Sequence, residues 1–112
     1  MGVTCDMNNE FFLVYVIVRD KQEALDIASI AIKKKLAACG NILPEISSVY
    51  IWKDKLQSDN ETLLILKSNA ENYKSLEKLI LEHHSYDNPC ILKLPIRGGN
   101  INFLEWINKS LI

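Results

Sequence analysis

Eight consecutive apolar residues, Phe11–Val18, constrain the fold of this chain more than any other segment. The run is aromatic and β-branched, and it is apolar at both odd and even positions. Because successive side chains of a strand point to opposite faces, such a run predicts a central strand that is covered on both sides. It is too short to cross a bilayer as a helix, so we expect no membrane insertion.

Helical and extended patterns alternate after this strand. Asp20 stands three residues before Glu23, which predicts a capped helix start, and apolar residues then recur at spacings of three and four. Extended runs at 36–52 and 61–67 predict a long antiparallel hairpin, with the polar stretch 53–60 as the loop between them.

The second half of the chain repeats the order of the first. Ser68 and Glu71 predict another capping box, opening a helix that ends near His83. A strand over 90–96 and a short final helix over 101–112 follow. The resulting order of strand, helix, strand, strand, helix and strand predicts an α+β, ferredoxin-like βαββαβ sandwich with a C-terminal helix.

Length and composition fit one globular domain over 11–112, preceded by a flexible lead-in over 1–10. The net charge of -1 gives no basic excess, so we expect no nucleic-acid partner. The three cysteines, Cys5, Cys39 and Cys90, are odd in number and lack close spacing. This pattern favours a reducing compartment and predicts a cytoplasmic protein.

The apolar pattern also predicts self-association. A ferredoxin-like sheet carries helices on one face, yet 11–18 and 63–66 are apolar on both faces. Tyr50 and Trp52 add aromatic surface near the hairpin tip. For a domain of this size, another copy of the chain is the simplest cover, so we expect a stable closed oligomer.

His83 and His84 stand side by side where the second helix ends. Imidazole is the commonest side-chain metal ligand, so the pair suggests a cation site there. Adjacent helical residues point about 100° apart, so further ligands must come from another element or subunit, such as Glu61, Glu82 or Cys39. The alternative is that His83 packs against the core or an interface with its ring nitrogens hydrogen-bonded.

Five motifs together resemble the CutA divalent-cation tolerance family. They cover nearly everything from Phe11 onward, in order and at compatible spacings. The motifs are LAACGNI at 36–42, SVYIW at 48–52, ETLLILKS at 61–68, HSYDNP at 84–89 and PIRGGNINFLEW at 95–106.

The resemblance implies a homotrimer linked to copper, Cu(II), or other divalent cations. His83 and His84 match the histidines to which copper binding is attributed in bacterial members, and Cys39 matches the family cysteine. Tyr15 stands where bacterial members place a further cysteine ligand, and tyrosine is a poor ligand for soft metals. The expected function is therefore a non-enzymatic, trimeric role in divalent-cation tolerance.

A signalling or scaffold trimer is the alternative, with a small ligand or protein partner bound in clefts between subunits. The residues expected to line such clefts are Tyr50, Trp52, Lys67, Tyr86 and Arg97. The residues expected at the oligomer interface are Tyr50, Trp52 and Trp106. An enzyme using Cys39 and His84 as nucleophile and base is disfavoured, because no third residue is indicated that would orient them.

Overall fold

A computed structural model of the chain describes residues 10–112. Its elements are β1 (Phe11–Val18), α1 (Lys21–Lys33), β2 (Cys39–Trp52), β3 (Lys55–Asn69), α2 (Tyr73–His83), β4 (Ile91–Ile96) and α3 (Ile101–Ser110). Residues 1–9 lie outside the described part, so the flexible lead-in stays a prediction. Over residues 10–112, no helix has the length and apolar character needed to cross a membrane.

The strands form one antiparallel sheet in the order β2-β3-β1-β4. β1 lies inside the sheet, as predicted, with β3 on one side and β4 on the other. This strand order, with one helix after β1 and another after β3, is the ferredoxin-like arrangement. The predicted α+β fold class is therefore confirmed.

Helices α1 and α2 cover one face of the sheet, called the covered face below. Alternate residues of β1, from Phe12 to Val18, are buried beneath them, and Leu64 and Leu66 of β3 are fully buried beside them. The helices contribute Ala24, Ile27, Ala28, Ala31, Leu76, Leu79 and Ile80 to this core. Burying a large apolar side chain stabilises the fold by about 1.5–3 kcal/mol relative to leaving it exposed.

The opposite face, called the open face below, is covered at one end only. There α3 packs Ile107 and Leu111 against Phe11 and Ala38. Among residues 10–112, nothing covers the apolar rows beyond it: Leu43, Leu63 and Ile17; Ile65, Tyr15 and Leu92; Leu13 and Leu94. In these rows Leu92 is 54% exposed. The chain therefore folds with a large apolar surface facing outward.

Strands β2 and β3 extend beyond the sheet as a two-stranded ribbon in which 46–52 pairs with 55–61. The predicted loop over 53–60 is wrong. The turn is Lys53 and Asp54 alone, both with positive φ (50° and 64°). Two positive φ values give the turn a twist that matches the right-handed twist of the strands, so a two-residue connection suffices. A bulge between Leu43 and Ile46 starts the ribbon.

The predicted second capping box is also wrong. Ser68 is fully buried in β3, where its Oγ donates to the Leu36 carbonyl oxygen at 2.7 Å. The turn before α2 is held by Asn69, whose Oδ1 accepts from the backbone N–H of Asn72 at 3.1 Å. A strand position that faces the core thus overrides the local capping signal of Ser68.

Candidate functional site

A cavity of about 830 Å³ lies between the ribbon and the loop that joins α2 to β4. The ribbon contributes Tyr50, Trp52, Gln57, Asp59 and Glu61. These residues share one face, because Tyr50 pairs with Gln57 and side chains alternate along each strand. The remaining wall consists of Ile17, Tyr86, Asp87, Asn88 and Cys90. Three of the predicted cleft residues, Tyr50, Trp52 and Tyr86, therefore line one cavity.

Two tyrosine hydroxyls hold the acidic side chains of this cavity. The Tyr86 hydroxyl donates to Glu61 Oε2 at 2.6 Å, and the Tyr50 hydroxyl donates to the Asp59 carboxylate. Burial, together with the Glu61 hydrogen bond and charge, raises the pKa of Tyr86 far above its ordinary value. The bond to Asp59 raises the pKa of Tyr50 as well. Both phenols consequently stay protonated and act as donors.

His84 fixes the loop to the sheet through both of its ring nitrogens. Nδ1 accepts from the backbone N–H of Tyr86 at 3.1 Å, so it carries no proton. The proton is therefore on Nε2, which donates to the Ile17 carbonyl oxygen at 2.7 Å. Neither nitrogen has a free lone pair, so His84 cannot bind a metal ion in this conformation.

Glu23 ties the same loop to the start of α1. Its Oε1 accepts from the Arg19 N–H at 2.8 Å and its Oε2 from the Ser85 N–H at 2.9 Å. Burial opposes its charge, but the hydrogen bonds from Arg19 and Ser85 outweigh that effect and lower its pKa. The predicted pairing with Asp20 is present too, because the Asp20 carboxylate accepts from the Glu23 N–H at 2.9 Å. Asp20 thus caps α1, and Glu23 links the start of α1 to the loop after α2.

His83 differs from its neighbour in leaving one nitrogen open. Its side chain is exposed, and Nδ1 donates to the Leu79 carbonyl oxygen at 2.9 Å. Nε2 then carries a lone pair directed away from that bond, the arrangement typical of metal-binding histidines. Among the described residues, however, no three His, Cys, Asp or Glu side chains are grouped to hold a metal ion.

The third predicted ligand, Cys39, is not brought to the histidines. It pairs with Lys67, which pairs with Leu13, whereas His84 contacts Ile17. Four strand residues separate these levels by about 13 Å. Tyr15 lies between them on the open face. The predicted metal ligands therefore do not fit around one ion within a single protomer.

Two predicted cleft residues lie away from the cavity. Lys67 donates to Asn41 Oδ1 on β2, six residues and about 20 Å along β3 from Glu61. Arg97 follows Ile96, which pairs with Phe11 at the far end of β1. Among the predicted interface residues, Trp106 stacks on Phe103 of α3, with ring centroids 5.4 Å apart.

Sequence reasoning missed Gln57 and Asp59, because it assigned both to a loop. Alternation of polar side chains over 57–61, on a strand paired with SVYIW, is the signal that would have placed them beside Tyr50. Asp87 and Asn88 gave no signal of their own.

Comparisons with known proteins place the chain in a family. The model described as CutA1 divalent ion tolerance protein matches residues 12–110. "Protein CutA 1, chloroplastic" from Oryza sativa subsp. japonica is 44% identical over 98 residues, covering 88% of this chain but 55% of the relative. This chain thus spans about half the length of that relative. "Divalent-cation tolerance protein CutA" from Yersinia pestis is 39% identical, covering 83% of this chain and 78% of the relative.

Solved structures agree in fold. The crystal structure of CutA1 from Oryza sativa matches with a TM-score of 0.88 and 41% identity, covering 94% of this chain and 96% of that one. CutA1 from Ehrlichia chaffeensis, described as a divalent ion tolerance protein, matches with a TM-score of 0.88 and 30% identity, covering 91% and 95%. This chain belongs to the CutA1 divalent ion tolerance protein family.

Proposed function

We propose that this chain acts in divalent-cation tolerance as a cytoplasmic, non-enzymatic homotrimer. The observation that carries the role is the family match over residues 12–110, supported by relatives whose names state divalent-cation tolerance. The assembly has separate support from the open face and the ribbon.

The open face supports contact with other copies. Ile65, Tyr15 and Leu92 form one of its cross-strand rows, and Leu92 is 54% exposed. Burying such residues against another copy contributes about 25 cal/mol per Å² of apolar surface removed from water. A closed, symmetric assembly covers this face on every protomer at once.

The ribbon supports the same conclusion. It lengthens the molecule to 53 Å, against 26 and 21 Å along the other principal axes. One of its faces exposes Val49, Ile51 and Leu56 by 64, 64 and 72%, and the other exposes Trp52 by 60%. Because a two-stranded hairpin is marginal alone in water, the exposed Val49, Ile51 and Leu56 face supports contact with a neighbouring copy.

We assign the open Nε2 of His83 as the metal ligand that each protomer contributes, for Cu(II) or another divalent cation. Its Nδ1 bond to Leu79 fixes the ring. The remaining ligands would come from a neighbouring copy, because the described residues of one protomer do not complete a site. His84 positions the loop and binds no metal.

Calorimetric titration with Cu(II) and Zn(II) tests this assignment on wild type, His83→Gln and His84→Gln. His83→Gln should weaken binding by about tenfold or more, whereas His84→Gln should leave affinity unchanged and lower stability. Equal affinity in all three proteins would eliminate the site. Light scattering on the same samples tests the trimer, and a folded monomer at micromolar concentration would contradict it.

A second proposed function is ligand binding in the cavity beside the ribbon. The observation that favours it is the convergence of Tyr50, Trp52 and Tyr86 with acidic side chains around one concave site. Protein prepared without metal should still bind its ligand, because the cavity uses neither His83 nor Cys39. Calorimetry with and without a chelator separates this function from metal binding.

A further inference from the structure

We propose that the cavity beside the ribbon binds an aliphatic polyamine, a ligand with two or more ammonium groups on a flexible methylene chain. The proposal rests on the second proposed function, ligand binding in this cavity, and is independent of metal binding at His83. Three features carry it: the charge of the lining, the spacing of its carboxylates and its aromatic rings.

The charge of the lining selects a cation. Asp59, Glu61 and Asp87 line the cavity, and none of the described residues that line it is Lys or Arg. An anion would therefore face like charges, whereas an ammonium group would be attracted. Each carboxylate has about four lone-pair positions, so the bonds from Tyr50 and Tyr86 leave room for ammonium N–H donors.

The spacing of the carboxylates selects a ligand with more than one charge. Asp59 and Glu61 are two residues apart on one face of β3, so their Cα atoms lie about 6.6 Å apart. Two ammonium groups joined by a short methylene chain can each reach one of them. A single Ca²⁺ ion would need six or more oxygen ligands at about 2.3–2.6 Å.

The aromatic rings favour an organic cation over a hydrated inorganic one. Trp52, Tyr50 and Tyr86 provide faces that attract an ammonium group within about 6 Å and pack against methylene groups. The chain already uses one of these rings in this way, because the Lys53 ammonium lies 5.9 Å from the Trp52 ring centroid. The cavity thus offers aromatic faces beside its carboxylates.

Calorimetric titration of the metal-free, full-length chain with putrescine and spermidine tests the proposal. We expect binding of both, tighter for spermidine, and no binding of butanediol, which matches putrescine in chain length but lacks charge. Asp59→Asn/Glu61→Gln should weaken putrescine binding by about tenfold for each ion pair lost. These substitutions keep side-chain shape, and the mass in solution of each variant shows whether assembly is intact.

A matched control removes the same charge elsewhere. Glu71→Gln/Glu105→Gln alters two exposed carboxylates outside the cavity and should leave putrescine affinity unchanged. Equal weakening by both double variants would overturn the proposal, because it would indicate general charge attraction. Equal binding of butanediol and putrescine would also overturn it while preserving ligand binding in the cavity. If the chain binds a lysine-containing peptide but does not bind putrescine, the proposal is overturned in favour of a protein partner.

Discussion

The two faces of the sheet are built from the same strands but differ in how far their side chains are buried. Along β3, Leu66 is fully buried beneath the helices, whereas its neighbour Ile65 is half-buried on the open face. Along β1, Val16 and Tyr15 show the same contrast. One face is completed by helices of the same chain, and the other presents comparable apolar side chains with nothing over them beyond α3 among residues 10–112. The continuous apolar run in β1 therefore serves both folding and the proposed assembly.

Alanine substitutions on the two faces give the largest expected difference. Leu66→Ala leaves a cavity under α1 and α2, so it should lower the free energy of unfolding by about 2–5 kcal/mol. Ile65→Ala should cost less, about 1–2 kcal/mol in the dissociated chain, because Ile65 is only half-buried and water already reaches part of its side chain. Urea unfolding at several protein concentrations measures both.

Ile65→Ala can also be tested by its effect on assembly, which is measured separately from the free energy of unfolding. If the open face joins copies, this variant should dissociate at higher protein concentration than wild type, as measured by sedimentation. Leu66→Ala serves as the control for changes that act through the core. An unchanged dissociation constant for Ile65→Ala would show that this part of the open face is not a contact surface.

Glu23→Gln tests the hydrogen bonds that join the start of α1 to the loop after α2, and its expected effect on stability is intermediate. Gln accepts through one oxygen only, so either the Arg19 or the Ser85 N–H loses its partner, at a cost of about 1–3 kcal/mol at neutral pH. The pKa of Glu23 is lower in the folded chain than its ordinary value of 4.5. The charged carboxylate therefore adds to the free energy of unfolding above pH 4.5, and this stabilisation is lost as the pH falls through the lowered pKa.

The difference in unfolding free energy between wild type and Glu23→Gln should therefore shrink below about pH 4.5. Asp26→Asn is the matched control, because within residues 10–112 its exposed carboxylate bonds only to the Gln22 side chain. A difference that stays constant down to about pH 3 would rule out the charge of Glu23 as the source of the stabilisation.

Lys93→Met has the smallest expected effect and examines the edge of the covered face. The Lys93 ammonium lies 4.7 Å from the Phe12 ring centroid and 4.9 Å from that of Tyr73. Methionine keeps an extended apolar side chain but removes the charge, so stability should fall by about 0.5–1 kcal/mol. Lys74→Met, on the exposed surface of α2, should have less effect in the same assay.

Much of the fold followed from periodicity. The continuous apolar run in β1 and the apolar residues at helical spacing in α1 and α2 reflect which faces are buried. That pattern does not depend on which element covers the face, so it could be read from the sequence. The errors at Ser68 and in the predicted loop over 53–60 arose from local signals that tertiary context overrides. Lys53 and Asp54 carry no glycine to mark a positive-φ turn, and Ser68 satisfies its hydroxyl through Leu36, distant in sequence.

The candidate site was less predictable, because it depends on where each polar atom finds its partner. His83 and His84 looked equivalent as potential ligands, yet one ring binds the sheet through both nitrogens and the other leaves Nε2 open. Sequence spacing also could not place Cys39 at the opposite end of the sheet from His84. Three aromatic residues of the cavity were predicted, but its acidic character appeared only once β3 was seen to begin at Lys55.

The long hairpin also puts the newly synthesised chain at risk of aggregation. Residues 47–52 combine β-branched and aromatic side chains without proline or charge, and they lie on an edge strand. Such segments template intermolecular pairing and fibril formation when left unprotected. Under the proposed assembly, synthesis that outpaces docking of partner copies would therefore favour aggregation and proteolytic nicking at this hairpin, and rapid docking would protect it.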